Sequence, residues 1–257
     1  MQQEIYMYLI IFIYGIIIGS FLNVLIYRLP KKEDIVIKSS SCTKCGHKLQ
    51  WYDLVPLFSY ICLRGRCRYC KEKISAQYPI IEGLNGIIYI IIFLKFDFSV
   101  ITSLMCLFSS ILIAISVIDY RTFEIPDILN IVLVALAIIS LFFTKDILDH
   151  ILGFVLVSGF MYLLLILFRA LRNVDCFGGG DIKLMAAAGL FLGGRRIVLA
   201  FFIGCILGSV IHLMRMRFKH VGNVLAFGPY LCAGIFISML FGWDMLNFYM
   251  GLLNFSL

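Results

Sequence analysis

Two aspartates occupy positions where their type and surroundings could do chemistry. Asp119 closes the apolar run Ser109 to Ile118 and is followed by Tyr120, Arg121, Thr122, Phe123, Glu124, Ile125, Pro126 and Asp127. Asp181 follows Gly178, Gly179 and Gly180 and opens a second apolar stretch, Ile182 to Leu192. Each has a plain structural explanation when taken alone. An acid at the end of a membrane helix costs less than one at its centre, so Asp119 suits an interfacial anchor. Asp181 suits an N-cap carboxylate or part of a glycine turn between spans. A phosphate-cradling loop fits less well, because no strand precedes the glycines and no Gly-Lys-Ser/Thr completes them.

Together the two aspartates suggest more, since both emerge from different apolar segments toward one membrane face. Two nearby carboxylates do not both ionise easily, so one holds a proton while its partner acts as base on a water molecule. The acid can then polarise a scissile carbonyl and assist the leaving amine, which is peptide hydrolysis without a metal or a nucleophilic side chain. Three consecutive glycines permit the close backbone approach that an extended peptide needs. Glu124, Asp127 and Asp175 compete for the same role, and position at a helix end favours Asp119 and Asp181. There is no GxSxG elbow, and His47, His150, His212 and His220 lack HExxH spacing, so the histidines receive no role.

A second constellation lies earlier in the chain. Cys42-Thr-Lys-Cys45 and Cys67-Arg-Tyr-Cys70 form two CxxC pairs with the spacing of a structural zinc site, whose four thiolates leave no open position for water. The alternatives are two reduced pairs without metal, or redox-active pairs whose neighbouring arginines favour thiolates. Zinc fits the finger-like spacing best, with His47 just outside the ligand set. A hydrophilic segment of this size also has little core of its own and benefits from such a staple. The remaining cysteines, Cys62, Cys106, Cys176, Cys205 and Cys232, are scattered and read as small packing residues of a reducing compartment.

The elements that must position these groups are set by composition. Of 257 residues, 62% are hydrophobic and 14% charged, far from a soluble domain's balance. Apolar runs long enough to cross a bilayer recur near 5–27, 79–94, 98–118, 128–144, 148–168, 181–194, 197–214 and 224–250, the sixth being short. The chain is therefore expected to be an all-α polytopic membrane protein of about eight transmembrane helices. A first helix over 1–27 precedes a small zinc-binding module over 28–78, and a bundle follows over 79–257. The first run lacks a basic n-region and a cleavage site, so it reads as a retained span.

The net charge of +7 follows from loop placement and not from a nucleic-acid-binding face. With an odd first crossing, one side receives 18 of the 22 lysines and arginines, leaving Lys95, Lys145, Arg195 and Arg196 for the other. The positive-inside rule makes the rich side cytoplasmic, with the N-terminus outside and both aspartates inside. Arg64, Arg66, Arg68, Lys71 and Lys73 on the module then suit anionic lipid headgroups, and no nucleic-acid partner is expected.

In one order the chain carries GSFLNVLIYRLP at 19–30, CTKCGHKLQWYDLVPLFSYICLRGRCRYC at 42–70, ISAQYPIIEGLNG at 74–86, IDYRTFEIPD at 118–127, FGGGDIKLMAAAGLFLG at 177–193 and AFGPYL at 226–231. This set resembles the bacterial prepilin peptidases, or type IV leader peptidases, within the GxGD membrane aspartyl proteases. Gly178, Gly180 and Asp181 stand at that motif. The resemblance implies an inner-membrane enzyme that cuts the basic leader from prepilin or pseudopilin precursors at the cytoplasmic face. It implies Asp119 and Asp181 as the catalytic pair, with Gly178, Gly180, Pro126, Asp127 and Lys183 supporting the motifs. It also implies a zinc-bearing module on Cys42, Cys45, Cys67 and Cys70. Where many relatives have glutamate six residues before the catalytic aspartate, this chain has Asp175.

Many such enzymes also methylate the new N-terminus with S-adenosylmethionine. No G-x-G-x-x-G fingerprint follows a strand here, so Asn23, Tyr27 and Glu82 are the candidates for a methyl-donor site. Glu82 equally suits a helix-start carboxylate complementing the dipole. The reading from another class is an ion- or proton-coupled transporter with functional aspartates.

Overall fold

The computed structural model describes residues 2–35, 39–173, 177–218 and 225–252, so the expectations for Asp175, Cys176, Lys219 and His220 lie outside the described residues. Helices dominate, as lipid requires of a chain that must satisfy its backbone polar groups internally. In order they are α1 (Gln2–Arg28), the short α2 (Phe58–Cys62), α3 (Gln77–Phe96), α4 (Val100–Thr122), α5 (Asp127–Leu141), α6 (Ile147–Arg172), α7 (Gly179–Leu192), α8 (Gly194–Phe218) and α9 (Gly228–Leu252). Each of the eight expected apolar stretches overlaps one of these helices.

Among the described residues, six helices are long and apolar enough to cross a membrane by length and composition: α1, α3, α4, α6, α8 and α9. Helix α5 has 15 residues and α7 has 14. At about 1.5 Å per residue they cover little more than 20 Å, short of a hydrocarbon layer about 30 Å thick. The ends have local causes. Pro126, extended at φ −62° and ψ 129°, precedes α5, where a missing N–H is harmless. Gly193, at φ +90°, closes α7 and lets α8 begin at once.

The chain divides into two compact units, Met1–Ala114 and Ile115–Leu257. In the first, α1 and α3 approach through small residues. A methyl group on Gly15 would lie 2.7 Å from Gly86 Cα, and one on Gly19 would lie 2.8 Å from Glu82 Cα. That closeness lets Asn85 Nδ2 donate to Gly15 O at 2.7 Å while Ser110 Oγ donates to Asn85 Oδ1 at 2.8 Å. Buried polar groups in an apolar bundle are tolerated when paired in this way.

The module over 39–76 is built from two matching loops. In the first, Cys42 N–H donates to His47 O and Gly46 N–H to Cys42 O; in the second, Cys67 N–H donates to Glu72 O and Lys71 N–H to Cys67 O. Isolated bridges, Ser41 with Lys48 and Arg66 with Lys73, close the two loops. Gly46 and Lys71 take the same left-handed conformation, at φ 72° and 60°. Asp53 fastens the second loop to the turn before α2. It accepts from Arg68 Nε at 2.7 Å and from Tyr69 OH at 3.3 Å, with Arg68 also 5.1 Å from the Tyr52 ring.

In the second unit, α7 packs against α5, α6, α8 and α9. Gly153 of α6 and Gly189 of α7 bring their backbones into direct contact, leaving no room for a side chain on either. Gly234 of α9 meets the Ala200 carbonyl of α8 in the same manner. The surrounded helix α7 is the one that carries Asp181.

Candidate active site

Asp119 sits one turn from the end of α4 and is 5% exposed. Its Oδ2 accepts a hydrogen bond from the backbone N–H of Gly228 at 2.9 Å. Gly228 is the first residue of α9, so this N–H has no partner within its own helix, and the positive end of the helix dipole faces a carboxylate. A methyl group on Gly228 would lie 2.7 Å from Asp119 Oδ2, which explains the residue type. The sequence carried Gly228 inside AFGPYL without assigning it a role; a Gly-Pro pair opening an apolar helix was the available signal.

Asp181 is the third residue of α7, with Gly178 in the N-cap position. The N-cap explanation for Asp181 is therefore corrected: its carboxylate belongs to the first turn, and its own backbone N–H donates to Gly178 O at 3.1 Å. The cap falls on Gly178 because three glycines let the turn close before a side chain appears. Asp181 Oδ1 is buried and has no hydrogen-bond partner among the described residues. The charge of Asp119 acts on Asp181, and both act on the buried thiol of Cys232 in α9. The two aspartates are thus electrostatic neighbours carried by separate helices.

The motif residues around them have distinct tasks. A methyl group on Gly180 would lie 2.9 Å from Ile125 Cβ, so glycine there lets α7 meet the segment before α5. Lys183 Nζ and Asp127 Oδ1 pair at 2.7 Å across the first turns of α7 and α5, both largely exposed. Pro126 sets the entry to α5. Glu124 is exposed, with no burial comparable to Asp119. Asn130, 4% exposed, was missed from sequence; its Nδ2 donates to Gly180 O at 3.5 Å, beside Asp181.

The four cysteines converge. Their sulfur atoms all lie within 4.8 Å of one another, and Cys42 Sγ is 3.8 Å from Cys70 Sγ. Tetrahedral zinc with bonds of about 2.3 Å needs sulfurs roughly 3.8 Å apart, so the donor set fits that ion. Backbone N–H groups of Cys45 and then Lys44 draw the Cys42 thiol down to about 7, despite partial burial. Cys70 goes the other way. Against the backbone N–H of Glu72, burial and the three neighbouring sulfurs push it up to about 12. Four crowded sulfurs resist becoming four thiolates unless a cation joins them. His47 is not among the converging groups; its ring lies 3.6 Å from that of Tyr69.

Asn23 and Tyr27 lie on α1, and Glu82 lies on α3. Asn23 is 2% exposed, donates to Tyr78 O at 3.2 Å and accepts from Gln77 Nε2 at 3.3 Å. Glu82, 6% exposed, accepts from Leu57 N–H at 2.8 Å, which ties α3 to the chain entering α2. Lys31 Nζ covers the Tyr27 ring at 3.6 Å. These contacts tie α1, α3 and the module together. His150, given no role, is buried with its Nδ1 2.8 Å from Leu190 O.

Comparisons with known proteins find relatives over most of the chain. Residues 13–96 match the bacterial peptidase A24 N-terminal domain, and residues 106–213 match the type IV leader peptidase family. A prepilin leader peptidase/N-methyltransferase of Vibrio cholerae is 37% identical over 80% of this chain and 85% of its own length. One from Burkholderia pseudomallei is 32% identical over 89% and 83%, and one from Pseudomonas putida is 29% identical over 94% and 93%. No solved structure matches the chain.

Proposed function

The chain belongs to the type IV leader peptidase family, and from that premise we propose that it cuts the leader from type IV prepilin-like precursors with Asp119 and Asp181 and then methylates the new N-terminus. It is a multi-pass protein of the inner membrane. The observation that carries the catalytic assignment is a buried Asp119 on α4 together with a buried, unpartnered Asp181 Oδ1 on α7, with the charge of Asp119 bearing on Asp181. The transporter reading is not favoured by the matched families.

One aspartate, as carboxylate, takes a proton from a water molecule whose oxygen attacks the scissile carbonyl carbon. Its partner, as acid, polarises that carbonyl and delivers a proton to the departing amine. Water is added across one peptide bond, and no side chain is consumed. The Gly228 N–H holds Asp119 in one orientation throughout. The open space beside Gly179, where a methyl group would meet nothing within 4 Å, admits the extended segment to be cut.

The division of labour follows the sequence: 28–78 as the zinc module and 79–257 as the peptidase bundle, with module and aspartates on the cytoplasmic side by the positive-inside rule. Cys42, Cys45, Cys67 and Cys70 would hold zinc, which closes the module and takes no part in hydrolysis. The module's basic residues would rest on anionic headgroups. S-adenosylmethionine is the donor that the family resemblance implies for methylation. Asn23, Tyr27 and Glu82, on α1 and α3, are its candidate site residues.

The test is direct. Purified protein in detergent is incubated with a prepilin and S-adenosylmethionine, and product mass is read. Loss of the leader reports cutting, and a further methyl-sized gain reports transfer. Asp119→Asn and Asp181→Asn are each expected to abolish cleavage while the protein still inserts; full cleavage by either variant rejects the pair.

A further inference from the structure

We propose that Asn130 is a substrate-binding residue whose side-chain oxygen accepts a backbone N–H of the precursor's extended cleavage segment. The proposal rests on the peptidase reading above and deepens it. Asn130 lies in the first turn of α5, and its Nδ2 donates to Gly180 O at 3.5 Å. That contact orients the amide, because the opposite flip would set two carbonyl oxygens against each other. The oxygen is thereby turned away from Gly180. Asn130 Oδ1 is buried and has no hydrogen-bond partner among the described residues.

An unpaired buried acceptor is costly, and native structures rarely keep one without a use. A second is Asp181 Oδ1, on the residue that follows the Gly180 carbonyl that Asn130 touches. Two orphaned acceptors therefore flank Gly180, and open space adjoins Gly179. A carboxyl oxygen at this place has a use in the hydrolysis. An amide oxygen cannot act as a base, so its use is to accept a donor. A helical precursor has no free N–H to give, whereas an extended one presents an unpaired N–H at every second residue along one edge. The segment must be extended to be cut, so the N–H it exposes is the donor that suits Asn130.

The experiment uses the full chain in detergent and a synthetic precursor, with single backbone amides flanking the cut replaced in turn by esters. Each ester removes one N–H and leaves the side chain unchanged. Cleavage of the all-amide precursor by the wild type tests the peptidase reading separately and first. Given that cleavage, one ester position is expected to lower kcat/KM about tenfold, mainly through KM. Asn130→Leu lowers kcat/KM for the all-amide precursor by a similar factor, and the ester at that position then costs nothing further. Asn130→Ala, which adds no bulk, is assayed beside it with thermal unfolding as the check on folding. Asn130→Asp keeps an acceptor oxygen and retains the ester sensitivity. A folded variant lacking the acceptor whose ester penalties match the wild type's at every position overturns the proposal. So does a wild type with no ester-sensitive position.

Discussion

The N–H of Gly228 and the carboxylate of Asp119 are 2.9 Å apart although 109 residues separate them in the chain. One end of α9 thus orients an acid at the end of α4. The bond uses a donor that the helix start leaves free, and it forms only because Gly228 has no side chain.

Gly228→Ala is therefore expected to impair cleavage without unfolding the protein. The added methyl would sit 2.7 Å from Asp119 Oδ2, so the carboxylate must turn away from its donor. A hydrogen bond to a charged group contributes about 1.5–3 kcal/mol, which corresponds to a loss of roughly 10- to 150-fold in rate. Prepilin cleavage measured against membrane insertion checks this, and an unimpaired variant would show that Asp119 needs no fixed orientation.

Asp127 and Lys183 should behave differently. Their pair is short, at 2.7 Å, but both side chains are more than half exposed, and exposed pairs contribute about 0–1 kcal/mol. Asp127→Asn and Lys183→Gln are expected to change the cleavage rate by no more than about fivefold. Loss as complete as that of Asp119→Asn would move Asp127 into the chemistry.

Purified protein should carry about one zinc per chain, bound at the four sulfurs. Cys67 is the buried member of the set, so Cys67→Ser is expected to lose the metal and expose the module to protease between residues 39 and 76. Metal analysis and limited proteolysis report the two outcomes. Metal retained at the wild-type level in that variant would place the ion elsewhere.

Asp53 provides a pH signature. Desolvation opposes its ionisation, yet the hydrogen bond from Arg68 and the Gln50 N–H hold its carboxyl below the usual value. A depressed folded value means that this stabilisation is complete above about pH 4, the range of the unfolded group, and fades as pH falls through the folded value. The Tm difference between wild type and Asp53→Asn should thus be constant from pH 8 to about 4 and shrink below it. A difference that widens in acid would reverse the sign of the linkage.

Local sequence carried much of this protein. Apolar runs, the Pro126 break and the two CxxC pairs are readable because hydropathy, backbone restriction and ligand spacing act over a few residues. Among the described residues, six long apolar helices, the shorter α5 and α7 and a converged sulfur cluster follow from them. Even helix length was partly hidden. Helix α5 stops at Leu141 where the apolar pattern ran on to Thr144, since a helix end depends on backbone bonds as well as hydropathy.

Tertiary structure alone decided which groups meet. Nothing near Asp119 in the chain announces Gly228, nothing near Asp181 announces Asn130, and Glu82 gave no sign that it would bind Leu57 N–H. Such partners are chosen when helices dock, by glycines that permit backbone contact and by buried polar atoms that must find a mate. Those choices depend on packing between distant segments, which no short window of residues contains.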